Sequence, residues 1–436
     1  MKLYNNINWK IIQNNNKDIN IPQDWNVKKI CETKNIFVDG DRGSNYPSHN
    51  DLLTKGHCVF LDAKNITKYG FSLKEKKYIT EDKDKTLRKG KLIKNDIVIT
   101  TRGTLGNIGH YDDNISDKVP NARINSGMVI FRVEENYSAK FLTHFFNTNF
   151  WKSQNNGGGV IPQLTITKMK ENLILDIPMK EQLAISKILS DQESIISKRK
   201  ELISQLEKRN QFMKDELLSG NLRVKEENKK IFFYKNQNDN WELTELNGSM
   251  LLKPKDWIKT NIKEQSFTHK EKPRKGLQYL EIGDINISNK DYDLKGKEKE
   301  EATAMKFAKA NTLIISTVRP TRLGFTITKE DLNVSSAFVK LTSNIQKYLF
   351  YLFYTDNFLN FLESNQQGAT YPTIKEEKII NFEFSCPDGQ EANLISSLLD
   401  ILFQEKKNHE QILIEEEKTF NFLLEELMSG RLRVAV

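Results

Sequence analysis

Two stretches of the chain, LLSGNLRV at 217–224 and LMSGRLRV at 427–434, agree at six of eight positions and lie 210 residues apart. The shared residues are Leu217/Leu427, Ser219/Ser429, Gly220/Gly430, Leu222/Leu432, Arg223/Arg433 and Val224/Val434. Each stretch closes a long run of helical periodicity. Solenoid proteins repeat every 20 to 50 residues or so, and a period this much longer means two copies of a whole domain with its helix. The fold must therefore carry two similar halves, each ending in a helix of similar length.

Further echoes fill in the halves. Pro22-Gln23-Asp24-Trp25 returns as Pro254-Lys255-Asp256-Trp257, a proline leading a tryptophan into an apolar run. CVFLDAKNI (58–66) and LQYLEIGDI (277–285) read as strands. NDIVITTRGTLGNIGH (95–110) and NTLIISTVRPTRLGFTI (311–327) each read as strand, turn, strand. SGMVIFRV and SSAFVKLT come after them as further strands. Next are aromatic stretches at helical spacing, FLTHFFNTNFWKS (141–153) and YLFYLFYTDNFLNFLES (348–364). Glycine-rich turns lead to Pro162 and Pro372, and a last strand ends at Pro178 or Pro387. Residues 225–250 read as a connection, part linker and part strand.

The helices show a heptad seam. The first places Ile185, Leu189, Gln192, Ile196, Arg199, Ile203, Leu206, Asn210, Met213 and Leu217 on one line. The second places Ile395, Leu399, Leu402, Lys406, His409, Leu413, Glu416, Phe420, Leu423 and Leu427 there. Glycines 220 and 430 stop them. At about 1.5 Å per residue each helix runs roughly 57 Å. A seam of this length needs a partner, and the other helix supplies it. Antiparallel pairing is expected, because a parallel pair would crowd both globular parts at one end. The expected class is α+β: two pseudo-symmetric mixed α/β domains joined by two long helices in an antiparallel coiled coil. The expected boundaries are 1–178 and 225–387 for the domains, with helical segments at 179–224 and 388–436.

Charge separates these parts. The chain carries +8 overall. Residues 181–218 balance at zero and residues 391–428 carry −6, so the remainder carries +14. A basic surface confined to the globular parts points to a polyanion; a generally lysine-rich surface is the alternative. Three scattered cysteines without CxxC spacing support neither a disulfide framework nor a zinc site, and imply a reducing, cytoplasmic setting. No apolar run is long enough to span a membrane. No phosphate-cradling GxxxxGK[ST] loop and no dinucleotide-type glycine fingerprint occurs, nor an Asn/Asp-Pro-Pro-aromatic motif. Asp388 with Glu405 and Lys407 matches a nuclease spacing by chance, since the latter two sit within the heptad.

Two basic domains, each entered through P-x-D-W, each with a strand–turn of the TRGTLGNIG type, each closed by a helix ending in L-x-S-G-x-L-R-V, resemble the specificity subunit of type I restriction–modification systems. The resemblance covers essentially the whole chain. It implies two target-recognition domains, each reading half of a bipartite, asymmetric sequence in double-stranded DNA. The helices would set half-site spacing and dock two adenine-methyltransferase subunits, with restriction/translocase subunits joining the complex. The chain itself would be non-catalytic and hold no cofactor; S-adenosylmethionine, ATP and magnesium belong to the partners. A self-contained DNA-modifying enzyme and a bipartite regulator outside restriction are the alternatives. Methyl transfer or cleavage by the chain alone would favour the first, and specific binding without methyltransferase recruitment the second.

Candidate DNA contacts are chosen by residue type at loops. Arginine offers guanine O6 and N7 two donors, and threonine reaches base or phosphate. Thr101, Arg102 and Thr104 lie at the first turn; Thr317, Arg319, Thr321 and Arg322 lie at the second. Arg42, Ser44 and Asn45 form a polar loop, and Lys270, Arg274 and Lys275 a basic one. Arg123 and Tyr371 complete the set. The competing reading for the two turns is a structural turn with arginine paired to a carboxylate inside the domain, for the two loops an ordinary solvated loop, and for Tyr371 a tight turn feeding the last strand. Partner or coiled-coil contacts are expected of the apolar seam residues.

Overall fold

The computed structural model describes residues 8–12, 19–155, 164–227, 230–237, 240–243, 257–267, 271–286, 291–294 and 304–434. The chain divides into two compact units. One comprises residues 1–200 with 411–436, the other residues 201–410. Each unit takes one globular part and one end of each long helix.

In the first unit a four-stranded antiparallel sheet runs in the order Ile108–His110, Ile97–Thr100, Met128–Arg132, Ile36–Asp39. A second sheet pairs Ala122–Ile124 in parallel with Cys58–Leu61, which also pairs with Tyr78–Ile79. Cys58–Leu61 is buried at all four positions, so it is covered on both faces rather than half-exposed. Two helices, Ala139–Phe145 and Asn149–Gln154, start at Ser138 and Thr148, whose side chains accept the N–H of Phe141 and Trp151. Their aromatic faces fill the core with Phe141, Phe145, Phe146 and Trp151. Burying one such side chain is worth about 2 kcal/mol.

The second unit repeats the plan. Leu313–Ser316 lies between Phe325–Ile327 and Phe338–Leu341. Tyr279–Leu280 pairs in parallel with Leu332–Ser335. Helices Gln346–Leu352 and Asp356–Asn365 bring Tyr348, Phe353 and Phe358 inward. In both units the strand after the P-x-D-W tryptophan position pairs with the strand before the long helix: Asn26–Lys29 with Leu173–Asp176, and Ile258–Asn261 with Glu383–Cys386. The connection expected at 225–250 is more ordered than a linker over its described part. Leu222–Glu227, Lys230–Gln237 and Asn240–Leu243 form an antiparallel meander.

The long helices span Met179–Ser219 and Gly389–Met428. The Asp388 carboxylate caps the second by accepting the N–H of Gln390 and Glu391. Pairing is antiparallel in each unit. In the first, Arg199 reaches Glu416 at 2.9 Å and Lys200 reaches Glu417 at 2.7 Å. In the second, Arg209 meets Glu405 at 2.6 Å, Lys406 meets Glu207 at 3.1 Å, and Asn210 donates to the Leu402 carbonyl at 2.7 Å. The polar seam residues Arg199, Glu416, Asn210 and Lys406 are thus paired to side chains or backbone of the facing helix. Ile185, Leu189, Leu206, Leu217, Ile395, Leu399 and Leu427 are buried. Ile196, Ile203, Met213, Leu402, Leu413, Phe420 and Leu423 are half-buried. The seam is driest at the helix ends that pack on the globular parts.

The repeated motif closes each unit. In the second, Arg223 donates two hydrogen bonds to Glu391 at 2.7 and 2.6 Å, and Trp257 Nε1 donates to the same carboxylate at 3.3 Å. In the first, Arg433 donates to Glu181 at 2.9 Å, and Trp25 Nε1 donates to it at 3.1 Å. Arg433 also takes Asp24 with two bonds, at 3.0 and 2.9 Å. Each guanidinium stands 5.3 Å from its tryptophan ring. Each motif glycine is left-handed, with φ +79° at Gly220 and +73° at Gly430, and lies against the tryptophan.

Candidate nucleic-acid interface

Two matching backbone bonds hold the strand–turn of each unit. In the first, Thr101 N donates to Gly127 O at 2.8 Å and Leu164 N to Thr101 O at 3.4 Å. In the second, Thr317 N donates to Ala337 O at 2.7 Å and Ile374 N to Thr317 O at 2.9 Å. A third bond differs: Arg102 N donates to Gly127 O at 3.2 Å, whereas Arg319 N donates to Pro372 O at 2.7 Å. Strand, adjacent turn and the end of the glycine-rich loop therefore meet at one point in each unit. Loops pinned to a rigid sheet in this way are suited to recognition.

The tips differ. The first turn is shaped by Gly103 and Gly106, at φ +75° and +77°. Thr100 Oγ1 closes it onto the Thr104 carbonyl. Arg102 and Thr104 are exposed, and no side-chain partner of Arg102 occurs among the described residues. Thr101 is buried and supports the turn. The second turn places two side-chain-bearing residues in the left-handed region, Arg319 at φ 47° and Leu323 at φ 57°, around a short 3-10 turn begun by Pro320. Each costs roughly 1–2 kcal/mol relative to an ordinary backbone conformation, and strain of this kind clusters at functional sites. Arg319 stacks 4.8 Å from the Tyr371 ring, which is 66% exposed. Thr321 and Arg322 are exposed. Thr317 Oγ1 donates to Ala337 O at 2.8 Å and is part of the scaffold.

The loop with Arg42, Ser44 and Asn45 joins the strand segment that holds the first turn. Arg42 reaches Asp39 at 3.2 Å and the Ser126 carbonyl at 3.4 Å, next to Gly127. Asn45 Nδ2 donates to Thr86 O at 3.3 Å. Asp41 is buried and accepts the N–H of Gly43 at 2.9 Å and of Arg88 at 2.8 Å. Those two bonds hold its carboxyl below the usual range.

Two expected contacts are occupied within the fold. Arg123 is buried, ion-paired to Asp84, and donates to the carbonyls of Lys89 at 2.8 Å, Asp84 at 2.9 Å and Leu87 at 3.0 Å. A loop position between strands looks open in sequence, but Asp84 lies 39 residues away and only the fold brings it near. Arg274 pairs with Glu271 at 2.8 Å and lies 4.0 Å from the Phe307 ring. Lys275 is exposed. Lys270 lies outside the described residues, as do Pro162, Pro254 and Asp256. Among the described residues no group of three His, Cys, Asp or Glu side chains is placed to hold a metal, and no helix is long and apolar enough to cross a membrane.

Sequence reasoning missed Glu181 and Glu391, the acceptors of the motif arginines. They carry the same 210-residue offset as the motif itself, so the signal is present in the chain.

Residues 22–208 match the family model described as the type I restriction modification DNA specificity domain. Residues 22–208 carry a type I restriction–modification specificity domain. No protein of curated function matches. Two solved chains from type I restriction–modification systems share the fold. The type I restriction-modification S subunit from M. genitalium aligns with a TM-score of 0.55 at 13% identity, covering 98% of each chain. A chain from a structure describing complex assembly and conformational transition of the type I R-M system gives 0.52 at 16% identity, covering 94% of this chain and 99% of that one. The HsdS subunit from Thermoanaerobacter tengcongensis aligns at 0.47 and 16% identity over 94% and 98%. The specificity domain is a DNA sequence-recognition domain, and the turn at 100–106 lies within the matched residues.

Proposed function

We propose that the chain reads a bipartite, asymmetric DNA target, one half-site per unit, and directs partner methyltransferase and restriction subunits to it without catalysing either reaction. The observation that carries the reading is the pair of turns. Matching backbone bonds hold both, and different side chains crown them. Arg42, Ser44, Asn45, Arg102 and Thr104 face one half-site; Arg319, Thr321, Arg322 and Tyr371 face the other, with Lys275 and Lys270 adding charge. Different tips read different bases, so the half-sites differ. Phosphate contacts from the basic surface position the domains, and base contacts specify.

The helices serve as the spacer between reading units and as the docking surface for two methyltransferase subunits. The chain works in the cytoplasm, where its DNA substrate lies. S-adenosylmethionine, ATP and magnesium act on the partner subunits.

The test is enrichment of duplexes from a randomised pool by the full chain, alone and with its methyltransferase. A two-part motif with a fixed gap supports the proposal, together with binding that falls by orders of magnitude between about 50 and 200 mM salt. Enrichment of a single continuous motif, or salt-independent binding, contradicts it. Adenine methylation by the chain alone would return it to the enzymes.

A further inference from the structure

The thirteen arginines of the chain fall into two sets. Eight are held by carboxylates away from the two turns and the polar loop: Arg123, Arg132, Arg199, Arg209, Arg223, Arg274, Arg431 and Arg433. Their donors serve the fold or the helix pair. The other five are Arg42, Arg88, Arg102, Arg319 and Arg322. Four of these are the arginines already placed on the reading loops, with Arg42 steadied by its contact to Asp39. The fifth, Arg88, lies on the segment between a short helix (Glu81–Thr86) and the strand Ile97–Thr100. Nothing in its sequence neighbourhood distinguishes it from other exposed basic residues.

Its surroundings do. The side chain is 76% exposed, and its nearest carboxylate oxygen, on Asp41, stands 3.8 Å away. The Asp41 oxygens already accept two backbone N–H groups, from Gly43 and from Arg88 itself. The same carboxylate thereby ties the Arg88 loop to the loop carrying Arg42, Ser44 and Asn45. Asn45 adds a second tie through Thr86 O. Gly43 makes room for the guanidinium: a Cβ there would stand 2.7 Å from Arg88 Nη2. The guanidinium is therefore placed but not consumed. Five donors in a planar fork lie beside the polar loop, where a guanine edge presents two acceptors.

We infer that Arg88 is a specificity-determining DNA contact of the first unit, taking a guanine edge, and that Asp41 and Gly43 position it. The inference rests on the reading of the first unit as a half-site reader. Lysine in its place would keep the charge but lose the fork. A base contact and a phosphate contact are therefore separable by substitution.

The experiment uses the full chain and the randomised duplex pool, with Arg88→Ala, Arg88→Lys and Gly43→Ala beside the unaltered protein. If the unaltered chain enriches no two-part motif, the half-site reading itself fails, a result distinct from any failure specific to Arg88. Given a motif, Arg88→Ala is expected to erase the preference for guanine at one or two positions of one half-site. Affinity for the selected duplex should fall about ten- to a hundredfold, and the other half-site should stay unchanged. Arg88→Lys restores the salt dependence without the base preference. Gly43→Ala pushes the guanidinium aside with its charge intact and blurs the same positions. An unaltered half-site in Arg88→Ala overturns the inference. So does a loss of affinity in Arg88→Ala that leaves base preference intact and that Arg88→Lys recovers, which would make the contact one to phosphate. Melting curves matching the unaltered chain, expected for so exposed a side chain, confirm that the readout is recognition.

Discussion

Arg223 and Arg433 lie just beyond the long helices, and each closes on a glutamate and a tryptophan. The turns at 100–106 and 316–324 share backbone bonds to the neighbouring strand and loop, yet one is built on glycines and the other on left-handed Arg319 and Leu323. At the helix ends the two halves repeat both contacts and residues; at the turns they repeat contacts alone. The first pattern suits a part whose geometry must be the same in both halves. The second suits a part whose scaffold is fixed and whose readout differs.

The clasps themselves are unequal, and that inequality can be tested first. Arg223 is 4% exposed and Glu391 7%, whereas Arg433 is 17% exposed. Arg223→Ala leaves a buried carboxylate without its charge partner and should cost about 3–5 kcal/mol. Arg433→Ala should cost less, about 1–3 kcal/mol, because its side chain is less fully removed from water. Chemical denaturation together with hydrogen exchange in each unit measures both. Equal losses would show that the clasps are the same in strength as well as plan.

The motif glycines come next. A Cβ at Gly430 would stand 2.4 Å from Pro22 Cγ, whereas at Gly220 it meets the Trp257 ring at 3.2 Å. Both positions are left-handed, so alanine costs roughly 1–2 kcal/mol at either. Gly430→Ala should lose measurably more, since a proline ring cannot give way. A larger loss at Gly220 would mean that the proline yields more readily than the indole.

A smaller effect separates the units by pH. His144 is buried against the first long helix, 3.3 Å from Ser190. At the corresponding helical position of the second unit Tyr351 donates to Asp400 at 2.6 Å. Burial pushes the His144 imidazole down to about 3. An unfolded histidine titrates near 6.5, so between those values the unfolded state binds the extra proton and stability falls as pH drops. Glu193, 3.6 Å from the imidazole, has its carboxyl pushed up by burial, which acts in the opposite sense. Its side chain is 51% exposed, so water weakens that opposition and the histidine dominates. Burial pushes the Tyr351 hydroxyl upward, so its contribution is lost only at strongly alkaline pH. Exchange protection in the first unit should therefore weaken from pH 7 to 5 by more than in the second. His144→Tyr should shrink the difference, with His110, whose imidazole burial also pushes down, keeping the remainder. An undiminished difference in that variant would show that His144 is not its source.

The repeat makes the two-unit plan, the long helices and the hairpin turns legible, because all three are written in local periodicity and turn residues. Partners distant in sequence are not legible. Arg123 looks available until the fold brings Asp84 to it, and Arg88 looks ordinary until Asp41 and Gly43 fix its place. Thr101 and Thr317 belong to the turns as their sequence positions suggest, but both support the backbone there. The meander at 222–243 is half-legible, since its first strand continues from the motif.

The most direct measurement compares the selected motifs of Arg102→Ala and of the Arg319→Ala/Arg322→Ala double variant, each in the full chain. If each unit reads its own half-site, Arg102→Ala degrades one half and the double variant degrades the other. Each loss should be about tenfold or more in affinity, with the gap between halves unchanged. If both variants degrade the same half, or both halves together, the two units do not read separate half-sites.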